Sequence, residues 1–123
     1  MTNSSPLRRE ESDDQMKRLL DAWEVLRTSH REMPAQAVSV LLYVASHNEC
    51  HKQAIEEDLG LTTASCSRVI DCINKGTGRA GVKTPGLGLV QKYVDPSNRR
   101  RLLVKLTPKG EHMLHQIKNI VNQ

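Results

Sequence analysis

Apolar residues return at helical spacing from Asp13 onward, as Met16, Leu19, Leu20, Trp23 and Leu26, and predict an amphipathic first helix over about 13–30. Ahead of it, 1–12 is polar, contains Pro6 and lacks a period, which reads as a flexible tail. Pro34 suits the first turn of a second helix, where its missing N–H has no partner to lose; Val38, Leu41, Leu42 and Ala45 give that helix its apolar side. The polar run His47-Asn48-Glu49 ends it. A short third helix, Lys52 to Leu59, closes at Gly60, the residue best able to take a left-handed conformation, and Leu61 turns inward.

Thr62 is a good N-cap for a fourth helix, on which Cys66, Ile70 and Ile73 form one stripe at i, i+4 and i+7. Its other face carries Thr63, Ala64, Ser67, Arg68 and Asp71. Two helices joined by a tight glycine-containing turn, the second small and polar outside, satisfy the requirements of a helix-turn-helix, here about 52–75. The stretch Gly76 to Gly88 reads as a glycine-rich loop with Arg79, Lys83 and Pro85. Beyond it, Leu89 to Val94 and Leu102 to Leu106 read as antiparallel strands joined by the turn residues Asp95-Pro96-Ser97-Asn98. That hairpin, about 89–106, leaves Arg99, Arg100 and Arg101 at and just after its tip. Thr107 caps a last helix, about 108–121, with Pro108 at its first position and Met113, Ile117, Ile120 and Val121 as its apolar side. The fold class is mainly α with a small β-hairpin (α+β), one domain over 13–123, with N- and C-terminal helices flanking a winged helix-turn-helix.

Composition narrows the function. A chain of 123 residues holds one modest core, so a two-domain enzyme cleft is not expected. The net charge of +4 is unevenly spread: Lys75, Arg79, Lys83, Lys92, Arg99, Arg100, Arg101, Lys105 and Lys109 are opposed only by Asp95, which favours a polyanionic partner. Phe is absent and only Trp23, Tyr43 and Tyr93 are aromatic, which argues against a platform that stacks single-stranded bases. The three cysteines, an odd number, and the lack of an apolar start predict a reducing, cytoplasmic setting. No apolar run approaches the roughly 20 residues of a membrane span, so no membrane association is expected.

Several segments carry the resemblance to a known family. They are Met33-Pro34-Ala35-Gln36, Gln53 through Leu61, Thr62 through Arg68, Leu87-Gly88-Leu89-Val90, Asp95 through Arg101 and Leu106-Thr107-Pro108-Lys109-Gly110. Together they resemble the MarR family of bacterial transcription regulators. The acidic-Pro turn followed by arginines, a strand and Leu-Thr-Pro-x-Gly is the most specific part. The resemblance implies sequence-specific binding of double-stranded DNA in transcriptional regulation, and a homodimer through the N- and C-terminal helices. It also implies a recognition helix in the major groove, where Thr63, Ala64, Ser67 and Arg68 face bases, and wing arginines Arg99 and Arg100 at the minor groove. Thr62 and Ser65 suit phosphate contacts. Lys75, Arg79, Lys83, Asn98 and Arg101 complete the expected DNA-binding set. Two departures stand out: the basic stretch Gly76 to Gly88 where the family has a brief link, and a fifth helix with the family's further C-terminal helix shortened or missing.

Other motifs weigh less. Gly76-Thr77-Gly78-Arg79-Ala80-Gly81 matches G-x-G-x-x-G but stands after a helix and before a strand, the wrong context for a dinucleotide site. His47, Cys50 and His51 fit no zinc spacing and no fourth ligand is identifiable, so neither metal nor cofactor is expected. Glu111, His112 and His115 converge with no nucleophile, and no enzymatic activity is expected. A small-molecule effector between the terminal helices and the DNA-binding lobe finds no support in so few aromatics. The competing reading is a protein-interaction adaptor that binds RNA polymerase or another regulator.

Overall fold

The computed structural model describes residues 7–9, 13–30, 33–74, 77–79, 82–84 and 86–123. Five helices and five short strands follow one another as α1 (Asp14–Ser29), α2 (Ala35–Ser46), β1 (Cys50–His51), α3 (Lys52–Leu59), α4 (Thr63–Ile73), β2 (Thr77–Arg79), β3 (Val82–Thr84), β4 (Val90–Asp95), β5 (Asn98–Leu106) and α5 (Pro108–Val121). This is the α+β winged helix: α3 and α4 form the helix-turn-helix, β4 and β5 the wing, and α1 packs along α5.

Local chemistry sets the helix ends. Asp13 caps α1 by accepting from the Gln15 and Met16 amides, and Thr62 caps α4 by accepting from Ser65 N at 3.1 Å. Gly60 ends α3 at φ 64°, the left-handed geometry that a side chain disfavours. Pro34 stands one position earlier than expected, as the N-cap of α2 rather than inside its first turn, with an extended ψ of 155°. One core then joins the pieces. Leu41 and Val44 of α2, Ile55 of α3, and Cys66, Ile70 and Ile73 of α4 are fully buried with Leu89, Val90 and Val104 of the wing. Burial at this scale, about 25 cal/mol per Å² of apolar surface, drives the assembly.

The Leu-Thr-Pro-x-Gly segment owes its residue types to one close approach. Thr107 N donates to Leu89 O at 3.0 Å, its hydroxyl donates to Gly88 O at 2.6 Å, and that hydroxyl accepts from Gly110 N at 3.1 Å. A Cβ on Gly110 would fall well inside 3.0 Å of the Leu89 carbonyl oxygen, closer than side chains approach. Thr107 thus ties the start of α5 to the start of the wing, and glycine lets the two backbones meet.

The sheet departs from the expected hairpin in three ways. First, the polar loop expected before α3 contains a strand: Cys50 and His51 pair with Val104 and Leu103, giving a three-stranded antiparallel sheet of order β1-β5-β4. Second, β5 begins at Asn98 rather than Leu102, so Arg99, Arg100 and Arg101 lie in a strand, and β4 runs to Asp95. Third, the stretch from Gly76 to Gly88 is not a simple loop, because Thr77–Arg79 and Val82–Thr84 pair antiparallel as a second hairpin. That hairpin is closed at its root. Leu87 N donates to Cys72 O at 3.0 Å, Gly88 N to Asn74 O at 2.9 Å and Leu89 N to Ile73 O at 2.8 Å, while Asn74 bridges to Val90. Gly86 packs so tightly on the Asn74 carbonyl that no Cβ fits there.

The α1 stripe is also not core. Ala22 and Leu26 are buried, whereas Met16, Leu19, Leu20 and Trp23 are 57%, 58%, 57% and 45% exposed. Most of the expected tail at 1–12 lies outside the described residues. Among the described residues no helix is long and apolar enough to cross a membrane.

Candidate nucleic-acid interface

The face of α4 opposite its buried stripe is small and polar. Thr62, Thr63, Ala64 and Arg68 are exposed, and Ser65 and Ser67 half-buried, so the expected residues share one open surface at the start of the helix. The Thr62 hydroxyl oxygen accepts from the Ser65 amide, which makes capping its first role. Arg68 lies back along the helix, its guanidinium donating to Ser65 Oγ at 3.2 Å. Asp71, one turn on, is held by Lys92 of β4 at 2.7 Å, a bond that ties the helix to the wing.

A polar group that sequence reasoning missed fixes the entry to α4. Lys52, 9% exposed, pairs with Glu56 one turn along α3 and donates to Thr63 O at 3.3 Å. The Thr63 hydroxyl donates to Glu56 Oε1 at 3.2 Å. The i, i+4 spacing of Lys52 and Glu56 was visible in the sequence; its use in locking α3 to α4 was not.

The wing turn is organised by Asp95. Its Oδ1 accepts from Ser97 N at 2.8 Å, and its Oδ2 accepts from His51 Nε2 at 2.7 Å across the sheet. The His51 imidazole, with the Ser97 amide, holds the Asp95 carboxyl below its ordinary value against the opposing effect of burial. Asn98 Oδ1 then accepts from Arg100 N at 3.1 Å, and Asn98, Arg99, Arg100 and Arg101 are all exposed. Among the described residues no carboxylate pairs with these arginines. Between the wing and the helix-turn-helix lies an open notch of about 340 Å³, walled by Lys52, Gln53 and Glu56 of α3, Thr63 of α4 and Arg100 and Arg101 of β5.

Of the other expected site residues, Lys75 lies outside the described residues, and Arg79 and Lys83 are described only as members of β2 and β3. Burial pushes the Cys50 thiol up to about 11 and raises that of Cys66 as well, the opposite of a reactive thiolate. A small pocket of about 40 Å³ lies between Trp23, Leu26, His30 and Val38, and His30 Nε2, buried there, has no hydrogen-bond partner among the described residues.

No family model matches the sequence, and no curated protein matches it. Solved structures do match by shape. The PcaV transcriptional regulator of Streptomyces coelicolor superposes with a TM-score of 0.58 at 19% identity, over 87% of this chain and 71% of that one. A cysteine-to-serine mutant of MarR from E. coli, complexed with operator DNA, gives 0.58 at 19% identity over 88% and 71%. RV1404 from Mycobacterium tuberculosis gives 0.63 at 19% identity over 95% and 79%. The chain has the winged helix-turn-helix fold of MarR and PcaV, with a second β-hairpin set between α4 and the wing.

Proposed function

We propose that this chain is a sequence-specific regulator of transcription that binds double-stranded DNA. The observation that carries the reading is that the capped, small-residue start of α4 shares a notch with Arg100 and Arg101, and that these and Arg99 are exposed with no carboxylate partner among the described residues. In this reading α4 enters the major groove with Arg68 reaching a base edge, and Thr63, Ala64 and Ser67 permit close approach. Thr62 and Ser65 lie against phosphate. The wing approaches the adjacent minor groove led by Arg99, with Asn98 beside it. Narrow A·T-rich grooves concentrate negative potential, so this contact reads shape more than base identity. The β2–β3 hairpin, with Lys75 before it and Arg79 and Lys83 in its strands, adds a third basic contact. The operator in the MarR complex is consistent with this use of the fold.

The same reading makes the protein a cytoplasmic homodimer. Met16, Leu19, Leu20 and Trp23 form an exposed apolar stripe on α1, the helix that packs along α5, and a second copy is the occupant this reading assigns to it. Two copies present two recognition helices to a palindromic site.

Selection of bound duplexes from a random pool, followed by affinity measurements over a salt series, tests the proposal. The expected outcome is a preferred sequence with two half-sites and a log–log salt slope of about −0.9 per phosphate neutralised. A flat salt response with no selected sequence overturns it and favours a protein-interaction adaptor.

A further inference from the structure

We propose that the notch between α3 and β5 seats one backbone phosphate of the bound duplex, gripped by Gln53, Arg100 and Arg101. The proposal rests on the DNA-binding reading above and adds a residue and a role to it.

One wall of the notch is α3 with the first residue of α4, and the other is the strand that carries the wing arginines. When a recognition helix occupies a major groove and a wing the next minor groove, the element between those grooves is a sugar-phosphate backbone. A surface that reaches into both must let that backbone pass. The notch is the open concavity at that crossing, and its volume is on the order of ten times that of one water, room for a phosphate and part of its sugars.

Three cations, Lys52, Arg100 and Arg101, face one carboxylate, Glu56. Glu56 is already satisfied from within, because Lys52 pairs with it and the Thr63 hydroxyl donates to it. The Lys52 ammonium is turned inward by the same bonds, since it also donates to Thr63 O. What remains uncompensated is the pair of arginines, exposed and without a carboxylate among the described residues. Guanidinium groups in that state match the charge and fork geometry of a phosphodiester. Gln53 is exposed on the opposite wall, held among the described residues by a long 3.3 Å bond to Glu57, a partner that its amide can exchange for a phosphate oxygen.

The arginine wall is anchored at its two ends. Asn98 fixes the Arg100 amide, and two residues after Arg101 the strand is paired on both sides, with His51 of β1 and Tyr93 of β4. Arg99, Arg100 and Arg101 form a bulge between the Asp95–Asn98 and Val94–Leu102 pairs, so the arginine wall is pinned at both of its ends while α3 supplies the regular wall. The arginine run then divides its labour. Arg99, next to the turn, is left for the minor groove, while Arg100, which the family resemblance assigns to that groove, joins Arg101 at the backbone.

A cycle of neutral phosphates and side-chain variants tests the seat. In the selected duplex, single methylphosphonates are placed along each strand and binding is measured for the parent and for Arg101→Ala; Gln53→Glu is measured on the unmodified duplex. The expected result is one position per half-site, between the two groove contacts, where neutralisation weakens the parent about tenfold and Arg101→Ala less than about twofold. Gln53→Glu, which sets a carboxylate on the rim, weakens binding about tenfold while leaving the selected sequence unchanged. If every methylphosphonate acts equally on parent and Arg101→Ala, or Gln53→Glu binds like the parent, the seat is overturned although DNA binding stands. A parent that binds no duplex overturns the DNA-binding reading and the seat with it.

Discussion

Replacing Gly110 by alanine sets two opposing effects against each other. Gly110 is a buried residue of α5, and helix propensity alone favours alanine by about 1 kcal/mol. The structure predicts the reverse. The added methyl meets the Leu89 carbonyl, a backbone atom that cannot swing aside like a side chain. To reach ordinary contact, at 3.4 Å or beyond, α5 must move off the wing by more than an ångström. That movement strains the Thr107 N–Leu89 O bond of 3.0 Å and the Thr107 hydroxyl bond to Gly88 O of 2.6 Å. Overpacking costs about 1–3 kcal/mol and a lost hydrogen bond about 1 kcal/mol, so the net destabilisation is about 1–3 kcal/mol after the propensity gain. For a domain of this size the midpoint of thermal unfolding falls by about 4–12 °C. Calorimetry on the parent, Gly110→Ala and Gly60→Ala measures it. Gly60 is the control, because nothing lies within 4 Å of its added Cβ and only its φ of +64° penalises alanine; Gly60→Asn therefore recovers part of that loss. A Gly110→Ala protein that melts at or above the parent refutes the close-approach account.

Lys52→Ala leaves the Glu56 carboxylate, itself little exposed, without its cation and is expected to cost about 3 kcal/mol in urea unfolding. The Lys52→Met, Glu56→Leu double variant recovers most of that, and a double variant as unstable as the single one contradicts the pair's role. His30 is held below its ordinary value of 6.5, by burial first and by the Lys109 charge second. The unfolded chain therefore takes up a proton that the folded one refuses, so stability is lost as the pH falls from about 6.5 through the folded value. In pH-dependent unfolding, His30→Leu flattens this dependence, and an unchanged profile argues against it. Leu20→Glu places a charge in the exposed α1 stripe, and sedimentation is expected to show dimer giving way to monomer with the helical content retained; an unshifted dimer removes α1 from the interface. Arg68→Ala should lower discrimination at one base pair per half-site by about 1–3 kcal/mol while much nonspecific affinity remains, and a selection that returns the parental sequence would assign readout elsewhere.

Where the residue itself carries the geometry, sequence and structure agree closely. Thr62, Thr107 and Gly60 stand at the helix ends that their capping and left-handed preferences predict. Cys66, Ile70 and Ile73 are buried as their spacing requires. Features made by distant partners were not readable. A two-residue strand such as Cys50–His51 has no period of its own and exists because β5 pairs with it. The bond from His51 to Asp95 joins residues 44 apart, and no local pattern marks it. Each of β2 and β3 is three residues long and β2 is interrupted by Gly78, so neither carries a strand signal of its own and the pairing is a property of the two together. Helical spacing in α1 showed an apolar side without showing what covers it, because periodicity gives no distinction between core and interface. The notch was hidden for a similar reason: Gln53 and Arg101 become neighbours through the packing of α3 on β5, a contact between segments far apart in the chain.

The sealed root of the second hairpin bears on how such a protein changes over time. Because Cys72, Ile73 and Asn74 are stitched directly to Leu87, Gly88 and Leu89, the chain departs after Asn74 and rejoins the frame beside it. The wing's aim is then set by the stitch rather than by whatever stands between. An exchange of the β2 and β3 residues for others is expected to leave the register of β4 on β5 unchanged, at a small entropic cost for added length. A lineage, or an engineer, can alter that surface while α4 and the wing keep their mutual angle.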